Sequence, residues 1–321
     1  MTTKQVSVEQ LFNIKIGSAA TIEVGESSTV LDQNYYFDPI VLRKMILWHR
    51  GVPGFQNFGI VGNAGIGKTS CLKEFSARMG KEFRSISVSG DTRFESLFGR
   101  REIRNGNTEY VETGLAEMAR RGGVFCANEF FRMDAGEAMR FVDFMDVAGT
   151  LTNPETGELI PIHPNFRYCF TGNSGGFGDL SGAYAGERRG SFALRDRCTI
   201  ITLPALPEEE EIKIIIGNTP SLKEYPEIVT SIVKTAKAVR EAFVGRGGGI
   251  CVDISPRGLV RWSNLFFAYW TLNNGPSGEL IKEPLIESLM DACLAGAPQD
   301  DIETVLELTK TWINASSLNM S

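Results

Sequence analysis

The chain has 321 residues, 42% of them apolar, and its 33 basic and 39 acidic side chains give a net charge of -6. This length suits one large domain or two modest ones, and the apolar share is ordinary for a globular protein with a buried core. The acidic balance repels nucleic acid and anionic membranes, so any binding of that kind would have to be local.

The six cysteines are widely spaced and form no Cys-x-x-Cys pair, which is typical of small core residues in a reducing compartment. The two histidines, His49 and His163, lie far apart, which gives a zinc site little support. The first ten residues show no basic start followed by an apolar run, and no apolar stretch approaches the ~18 residues of a membrane span. We therefore expect a cytoplasmic protein.

The first clear element is a helix near residue 40. Asp38 is predicted as its N-cap and Pro39 as its first residue, because proline lacks the N–H that a first turn leaves unpaired. Apolar residues then recur at helical spacing until Gly51. We interpret residues 1–52 as a lead-in whose helix packs beside the fold that follows.

The most informative motif is G-x-x-x-x-G-K-[ST]. A strand-like run from Phe58 to Val61 precedes it, and a helical pattern from Ser70 to Met79 follows, which is the setting that this phosphate-binding motif requires. Its glycines let backbone N–H groups converge on a phosphate at a helix N-terminus, where the dipole favours negative charge. The residues predicted to bind a nucleotide are Gly62, Asn63, Ala64, Gly65, Ile66, Gly67, Lys68, Thr69 and Ser70. Within this set, Lys68 adds charge for the β- and γ-phosphates, and the Thr69 hydroxyl is placed to ligate Mg²⁺.

Strand-like runs alternate with segments long enough for helical crossovers, at Phe58–Val61, Phe83–Val88, Val124–Ala127, Phe166–Thr171 and Thr199–Leu203. This alternation predicts an α/β fold with a mainly parallel five-stranded sheet and helices on both faces. After Leu206 the pattern becomes helical, and the acidic run from Glu208 to Glu211 complements the dipole of a first turn. We interpret residues 53–206 as the nucleotide-binding core and 207–321 as a helical lid.

A buried strand ends in Asn128 and Glu129, where a nucleotide hydrolase places an acid near the γ-phosphate. Glu129 is predicted as the general base or water-positioning residue, because its carboxylate can accept a proton from an aligned water. Asn128 occupies the position where this fold class normally carries aspartate, and it would hold Mg²⁺ through water. Since asparagine contributes no negative charge, we expect weaker Mg²⁺ organisation and slower turnover.

Three further polar features complete the pattern. Asn173 ends the strand that should lie between the phosphate-loop strand and the strand of the predicted acid, where its amide could reach water or the γ-phosphate. Arg195 and Arg197 precede the last strand, and the planar fork of arginine suits a γ-phosphate held by a neighbouring subunit. Arg257 follows a Ser-Pro helix start and would point toward the nucleotide.

In this order and spacing, the chain resembles the AAA+ ATPases, more narrowly their MoxR-like branch, and within it the ATPase subunits of aerobic cobaltochelatase (CobS). The resemblance runs from about Gln10 to Trp270. Beyond the nucleotide motifs it is carried by the segments Gln10–Ile14, Tyr35–Asp38, His163–Arg167 and Thr171–Tyr184.

The resemblance implies that ATP with Mg²⁺ lies between the subunits of a homo-oligomeric ring, usually hexameric. It makes Asn173 the sensor 1 residue and Arg257 the sensor 2 residue. Arg197 is the first choice for an arginine finger and Arg195 the second. Two hairpin-like insertions, around 101–111 and 151–162, would face the pore of the ring or its partner.

The function stays open among four alternatives. The leading one is a ring ATPase that couples ATP binding and slow hydrolysis to remodelling a partner protein, expected to carry a von Willebrand A domain. The second is the ATPase subunit of a cobaltochelatase, although the chain contains no chelatase site of its own. The third is a nucleotide-gated scaffold with little hydrolysis, which Asn128 favours. The fourth is DNA translocation, which the acidic balance disfavours even though Arg100, Arg101 and Arg104 form a local basic cluster.

Overall fold

The computed structural model describes residues 4–15, 20–25, 31–146, 149–179, 184, 186–244, 249–274 and 281–313. The chain forms two compact units. Unit 1 comprises Met1–Gly62 and Gly67–Pro204, and unit 2 comprises Asn63–Ile66 and Ala205–Ser321. Residues 180–183 of the segment ending at Tyr184 lie outside the described residues, as does most of the glycine-rich stretch at 245–249.

Unit 1 alternates strands and helices. Its strands are β1 (Lys4–Ser7), β2 (Thr21–Val24), β3 (Asn57–Val61), β4 (Phe83–Ser87), β5 (Gly99–Arg104), β6 (Asn107–Glu112), β7 (Val124–Asn128), β8 (Thr150–Thr152), β9 (Leu159–Pro161), β10 (Arg167–Gly172) and β11 (Thr199–Thr202). Its helices are α1 (Val8–Phe12), α2 (Pro39–His49), α3 (Lys68–Arg78), α4 (Gly114–Arg121), α5 (Ala135–Asp146) and α6 (Phe192–Asp196), with 3₁₀ turns at Phe94–Leu97 and Phe130–Arg132.

Five parallel strands form the central sheet, in the order β11-β3-β10-β7-β4. These are the five strands predicted from the sequence, so the predicted parallel α/β fold is confirmed. β10 pairs with β3 on one side and with β7 on the other, which is the placement expected for the strand that leads to Asn173. The carboxyl ends of β3, β7 and β10 therefore meet at one end of the sheet, where open α/β folds bind ligands.

Side chains of the buried strands alternate between the two faces of the sheet, as the pleat requires. On β10, Tyr168 and Phe170 enter one apolar cluster and Cys169 enters the other. β7 repeats this division with Phe125 and Cys126. Helices α4 and α5 contribute to the first cluster, and α2 and α3 contribute to the second. Helices thus cover both faces, as predicted.

The lead-in packs as part of unit 1. Asp38 caps α2 as predicted, because its Oδ1 accepts two backbone N–H groups of the first turn, each at 2.9 Å. Trp48 of α2 is fully buried and stacks on Phe58 with 5.3 Å between ring centroids. Its Nε1 donates to the carbonyl of Tyr168 at 3.0 Å, which fixes α2 to the sheet. The antiparallel pair of β1 and β2 was not predicted from the sequence.

Two antiparallel hairpins, β5–β6 and β8–β9, form at the predicted insertions. Hydrogen bonds and ion pairs between side chains connect the two hairpins. Asn153 Nδ2 donates to the Tyr110 hydroxyl at 3.0 Å. Arg120 of α4 pairs with Glu112 at 2.9 Å and with Glu158 at 2.6 Å. The two hairpins and α4 are therefore one connected group within unit 1.

Unit 2 is helical, as predicted for the C-terminal part. It contains α7 (Glu208–Asn218), α8 (Pro226–Val244), α9 (Pro256–Asn273), α10 (Pro284–Leu289) and α11 (Gln299–Trp312), with a 3₁₀ turn at Pro220–Glu224 and a π turn at Met290–Leu294. No helix in the described part of the chain is both long and apolar enough to cross a bilayer.

Helix α9 follows its sequence pattern closely. The Ser255 hydroxyl accepts from Gly258 N at 3.2 Å, so the predicted cap is present. Trp262 and Phe266 are buried in the core of unit 2. Tyr269 is only partly buried, and its hydroxyl donates to Asp291 at 2.6 Å.

Candidate functional site

The phosphate loop connects β3 to α3. Gly62, Gly65 and Gly67 have φ angles of 147°, 74° and 100°, which side chains with a Cβ rarely adopt. Gly67 is the N-cap of α3, so the loop opens onto a helix N-terminus, where free N–H groups favour an anion. Among the described residues, a Cβ at Gly67 would meet only the Tyr35 hydroxyl, at 4.0 Å, so these residues leave space above this end of the loop. Ser70 is exposed in the first turn of α3.

Asn173 links the lysine of the loop to the predicted acid. Its Oδ1 accepts from Lys68 Nζ at 2.9 Å, and its Nδ2 donates to Glu129 Oε2 at 2.9 Å. Lys68 is buried, and its Nζ also donates to the carbonyl of Gly62 at 2.7 Å. Lys68, Asn173 and Glu129 were predicted separately from three segments, and the structure brings them into one hydrogen-bonded chain.

Glu129 has a left-handed backbone with φ 57°. For a residue other than glycine this conformation costs about 1–3 kcal/mol, and such residues concentrate at functional sites. It arises where β7 ends and the chain turns into the 3₁₀ turn at Phe130–Arg132. The turn leaves the Glu129 carboxylate in contact with Asn173.

Asn128 contacts the hydroxyl groups on both sides of it. Its Oδ1 accepts from Thr69 Oγ1 at 2.8 Å and from Thr171 Oγ1 at 3.1 Å. Thr69 belongs to the phosphate loop and Thr171 to β10, so Asn128 connects the loop to the sheet. An aspartate at this position could accept the same two hydrogen bonds, so geometry alone does not require the amide.

Sequence reasoning missed Glu187. This buried carboxylate accepts from Asn173 N at 3.0 Å and from Ser174 N at 3.2 Å, and it also binds the Ser174 hydroxyl. It therefore holds the loop that presents the Asn173 side chain. In the sequence, Glu187 is a single acid between a glycine and two arginines, and this pattern alone does not predict a structural or functional role.

Burial keeps two groups beside the loop neutral. It raises the pKa of the Cys71 thiol, on α3, to about 12. Burial also raises the pKa of the Tyr35 phenol well above its usual value, with a smaller contribution from Cys71. Neither group therefore supplies a thiolate or phenolate near neutral pH.

The side chains present fit a nucleoside triphosphate with a hard divalent cation. The loop N–H groups and Lys68 suit phosphate oxygens. The Thr69 hydroxyl and the Asn128 amide oxygen are donors of the type that Mg²⁺ binds, Asn128 through water, and the bound ion would neutralise phosphate charge. Within the described residues, no group of three or more His, Cys, Asp or Glu side chains could hold a metal by itself.

The two arginines before β11 have different surroundings. Arg197 pairs with Asp146 at 2.7 Å and donates to the carbonyl of Ala193 at 2.7 Å. The Arg195 guanidinium lies 4.2 Å from the ring centroid of Phe177, and its buried Nε has no hydrogen-bond partner among the described residues. The cation–π contact does not use this Nε–H donor.

Arg257 lies in unit 2, in the first turn of α9. Its side chain is exposed. Its Cβ lies 3.8 Å from the position that a Cβ at Gly65 would take, so it begins beside the loop segment Asn63–Ile66 of the same unit.

Residues 57–198 match the AAA domain of the dynein-related subfamily. The match includes the phosphate loop, the Asn128 and Glu129 pair, and Asn173. Together with the parallel sheet and the C-terminal helices, this match gives the chain the fold class of the AAA+ P-loop NTPases, which it resembles over residues 57–198.

The chain is similar to several known proteins of this class and resembles the CobS-type, MoxR-like branch. The aerobic cobaltochelatase subunit CobS of a Sinorhizobium species is 26% identical over 73% of this chain and 71% of that protein. The von Willebrand factor A domain-containing protein 8 of Mus musculus is 21% identical over 81% of this chain, which spans only 15% of that protein's length. A mutant of Thermotoga maritima RuvB superimposes with a TM-score of 0.48 at 15% identity, covering 78% of this chain and 67% of that one.

Proposed function

We propose that this chain is a ring-forming ATPase that couples ATP binding and slow hydrolysis to remodelling a partner protein. The observation that carries the proposal is the hydrogen-bonded chain from Lys68 through Asn173 to Glu129. It joins the side chain that would bind the β- and γ-phosphates to the side chain that would activate water. A structural lysine would need no such connection to an acid at the end of another strand.

Each residue of the site has a role in this proposal. The loop N–H groups and Lys68 would bind the phosphates, and Thr69 and Asn128 would hold a Mg²⁺ ion that neutralises phosphate charge. Glu129 aligns the attacking water and accepts its proton. Asn173 keeps the Glu129 carboxylate oriented, and Arg257 contacts the nucleotide from α9.

A second copy of the chain completes the site. We take Arg195 as the first choice for the arginine supplied in trans, because Arg197 is already paired with Asp146. Two aromatic rings near Arg195, Phe177 and Phe192, are 56% and 73% exposed. Exposed apolar surface beside an arginine whose Nε has no partner among the described residues favours coverage by another subunit, as expected for a hexameric ring.

The partner is expected to carry a von Willebrand A domain. The mouse relative has such a domain by its name, which supports an association between this type of motor and that domain. A narrower candidate function is that of the ATPase subunit of a cobaltochelatase, which the similarity to CobS supports. Recovery of a tetrapyrrole-binding subunit on co-purification from the native host would favour it. All six cysteines are free thiols, which supports a reducing compartment such as the cytoplasm.

The proposal is tested by ATP binding, phosphate release and sedimentation with and without MgATP. The wild-type protein should bind ATP and sediment as an oligomer with nucleotide, whereas Lys68→Ala should bind ATP at least about tenfold more weakly. Lys73→Ala is the matched control, because Lys73 is an exposed lysine on the same helix. A wild-type protein that binds no ATP, or that stays monomeric with it, would refute the proposal.

A nucleotide-gated scaffold is the second candidate, and the neutral Asn128 favours it. Asn128 already binds the hydroxyl of Thr69 without adding charge to the magnesium shell. A scaffold would bind ATP and assemble, but wild type and Glu129→Gln would release phosphate at the same near-zero rate.

A further inference from the structure

The tip of the phosphate loop packs with the helical unit. Asn63–Ile66 belongs to unit 2, whereas the residues on either side of it belong to unit 1. Within unit 2, the segment before α9 lies against this tip. A Cβ at Gly65, where φ is 74°, would come within 2.4 Å of the Ser255 hydroxyl.

A polar contact accompanies this close packing. The Asn63 side chain hydrogen-bonds with the carboxylate of Asp253, two residues before the Ser255 cap. Burial raises the pKa of Asp253, and Arg240 and Asn63 act in the opposite direction. The Oδ1 atom of Asp253 is buried without a hydrogen-bond partner among the described residues. Burying a carboxylate costs free energy unless it is paired or hydrogen-bonded. The hydrogen bond from Asn63 and the nearby charge of Arg240 therefore stabilise Asp253 in this position.

A buried ion pair holds the segment that carries Asp253. Arg240 of α8 binds Glu211 of α7 through two hydrogen bonds of 2.7 Å each. Both side chains are largely buried, with 15% of Arg240 and 1% of Glu211 exposed. Arg240 also donates to the carbonyl of Ile254 at 3.1 Å. Two helices of unit 2 thus fix the backbone next to Asp253.

We propose that Asp253 is a positioning residue that sets the conformation of the phosphate-loop tip through Asn63. The Arg240–Glu211 pair holds Asp253 in place for this purpose. The chain of contacts runs from α7 and α8 through Ile254 and Asp253 to Asn63. Because Asn63–Ile66 form the tip of the loop predicted to receive the phosphates, this contact within unit 2 constrains the backbone of the tip. The inference deepens the proposed function and rests on it only for its effect on ATP.

The first test is hydrogen exchange in the protein without nucleotide, so it does not depend on ATP binding. Asp253→Ala should speed exchange of the amides in residues 62–67 by about tenfold, because the loop tip loses a hydrogen bond to a charged group. Asp253→Asn retains an acceptor for Asn63 and should exchange within about twofold of wild type. Asp291→Ala is the matched control, since Asp291 also belongs to unit 2 but binds Tyr269.

A double-mutant cycle then separates positioning from general stability. Asn63→Ala should reproduce the effect of Asp253→Ala, and the double variant should exchange no faster than either single variant. The Kd for MgATP should rise about tenfold in both single variants and not in Asp253→Asn or Asp291→Ala.

Unchanged exchange at 62–67 in Asp253→Ala would overturn the inference, as would additive effects of the two substitutions. Exchange in Asp253→Asn as fast as in Asp253→Ala would also overturn it. If wild type binds no ATP while the exchange results hold, the proposed function fails and the positioning role of Asp253 stands.

Discussion

Asn173 donates its side-chain N–H to Glu129 Oε2 at 2.9 Å, across the gap between the ends of β10 and β7. The same amide accepts from Lys68 at 2.9 Å. One short side chain therefore fixes the direction of the Glu129 carboxylate relative to Lys68. From this arrangement we expect substitutions to affect ATP binding and ATP turnover separately.

Glu129→Gln should abolish most hydrolysis while leaving binding intact. Glutamine keeps an acceptor oxygen for Asn173 but cannot take a proton from water. We expect kcat to fall about 10²–10⁴-fold and the Kd for ATP to stay within about twofold. Phosphate-release kinetics and equilibrium titration check the two parts, and a matching loss in affinity would contradict the role of Glu129 as a base.

Asn128→Asp should raise the rate of hydrolysis. A carboxylate accepts the same hydrogen bonds from Thr69 and Thr171 and adds the negative charge that the magnesium shell lacks. A tenfold gain in kcat, equivalent to about 1.4 kcal/mol of barrier, is expected at saturating Mg²⁺. The gain should be larger at low Mg²⁺, so a magnesium titration of both proteins is the measurement. A rate that is unchanged at every Mg²⁺ concentration would show that charge at this position does not limit turnover.

Arg195→Ala should impair hydrolysis more than Arg197→Ala. The Nε of Arg195 has no hydrogen-bond partner among the described residues, whereas the guanidinium of Arg197 is held by Asp146. For an arginine acting in trans we expect a loss of about 10³-fold or more in kcat with ATP binding retained.

Mixing experiments show whether Arg195 acts across subunits. Adding Glu129→Gln, which keeps Arg195, to Arg195→Ala should restore part of the activity, because mixed junctions pair an intact acid with an intact arginine. Arg43→Ala, at an exposed position on α2, is the control for loss of a positive charge. Equal defects in the two variants before β11, without restoration on mixing, would argue against Arg195 as the arginine supplied in trans.

Gly59→Ala should destabilise unit 1. Gly59 lies in β3, and a Cβ there would come within 2.3 Å of the Phe170 ring on β10. Overpacking of this kind costs about 1–3 kcal/mol, which lowers the melting temperature by several degrees. Gly217→Ala is the contrasting control, since a Cβ at this helical position meets no atom of the described residues within 4 Å and should stabilise slightly. Thermal unfolding of both variants would show the difference, and equal midpoints would contradict the packing argument.

The stability of the fold should decrease as the pH is lowered, because of His49. Burial lowers the pKa of His49 to about 3, with smaller contributions from Lys81 and Arg167. Below about pH 6.5, His49 binds a proton in the unfolded chain but stays neutral in the folded chain. Stability is therefore lost as the pH falls toward 3. At pH 5 this amounts to about 2 kcal/mol. Relative to wild type, His49→Leu should lose less stability between pH 7 and pH 5 in denaturant titrations, and equal losses would contradict this assignment.

Local sequence patterns were sufficient to predict most helices and strands and to select most residues of the candidate site. The caps of α2 and α9 were predictable because Asp38 and Ser255 each bind their own first turn, and sequence spacing fixes such contacts. The phosphate loop was predictable because its glycines, lysine and threonine act within one short segment. The pair β1–β2 was missed, since two short strands without strong alternation carry little signal.

The amino-acid sequence by itself determined the parallel α/β class, the phosphate loop and the polar residues at the strand ends, because these depend on contacts between near neighbours in the chain. Only the tertiary structure decided that Asn173 joins Lys68 to Glu129 and that Glu187 holds this loop. It also decided that Arg197 is paired, whereas the Nε of Arg195 has no partner in the described part of the chain. Those relationships depend on strand order and side-chain direction across segments far apart in sequence, and no local pattern specifies them.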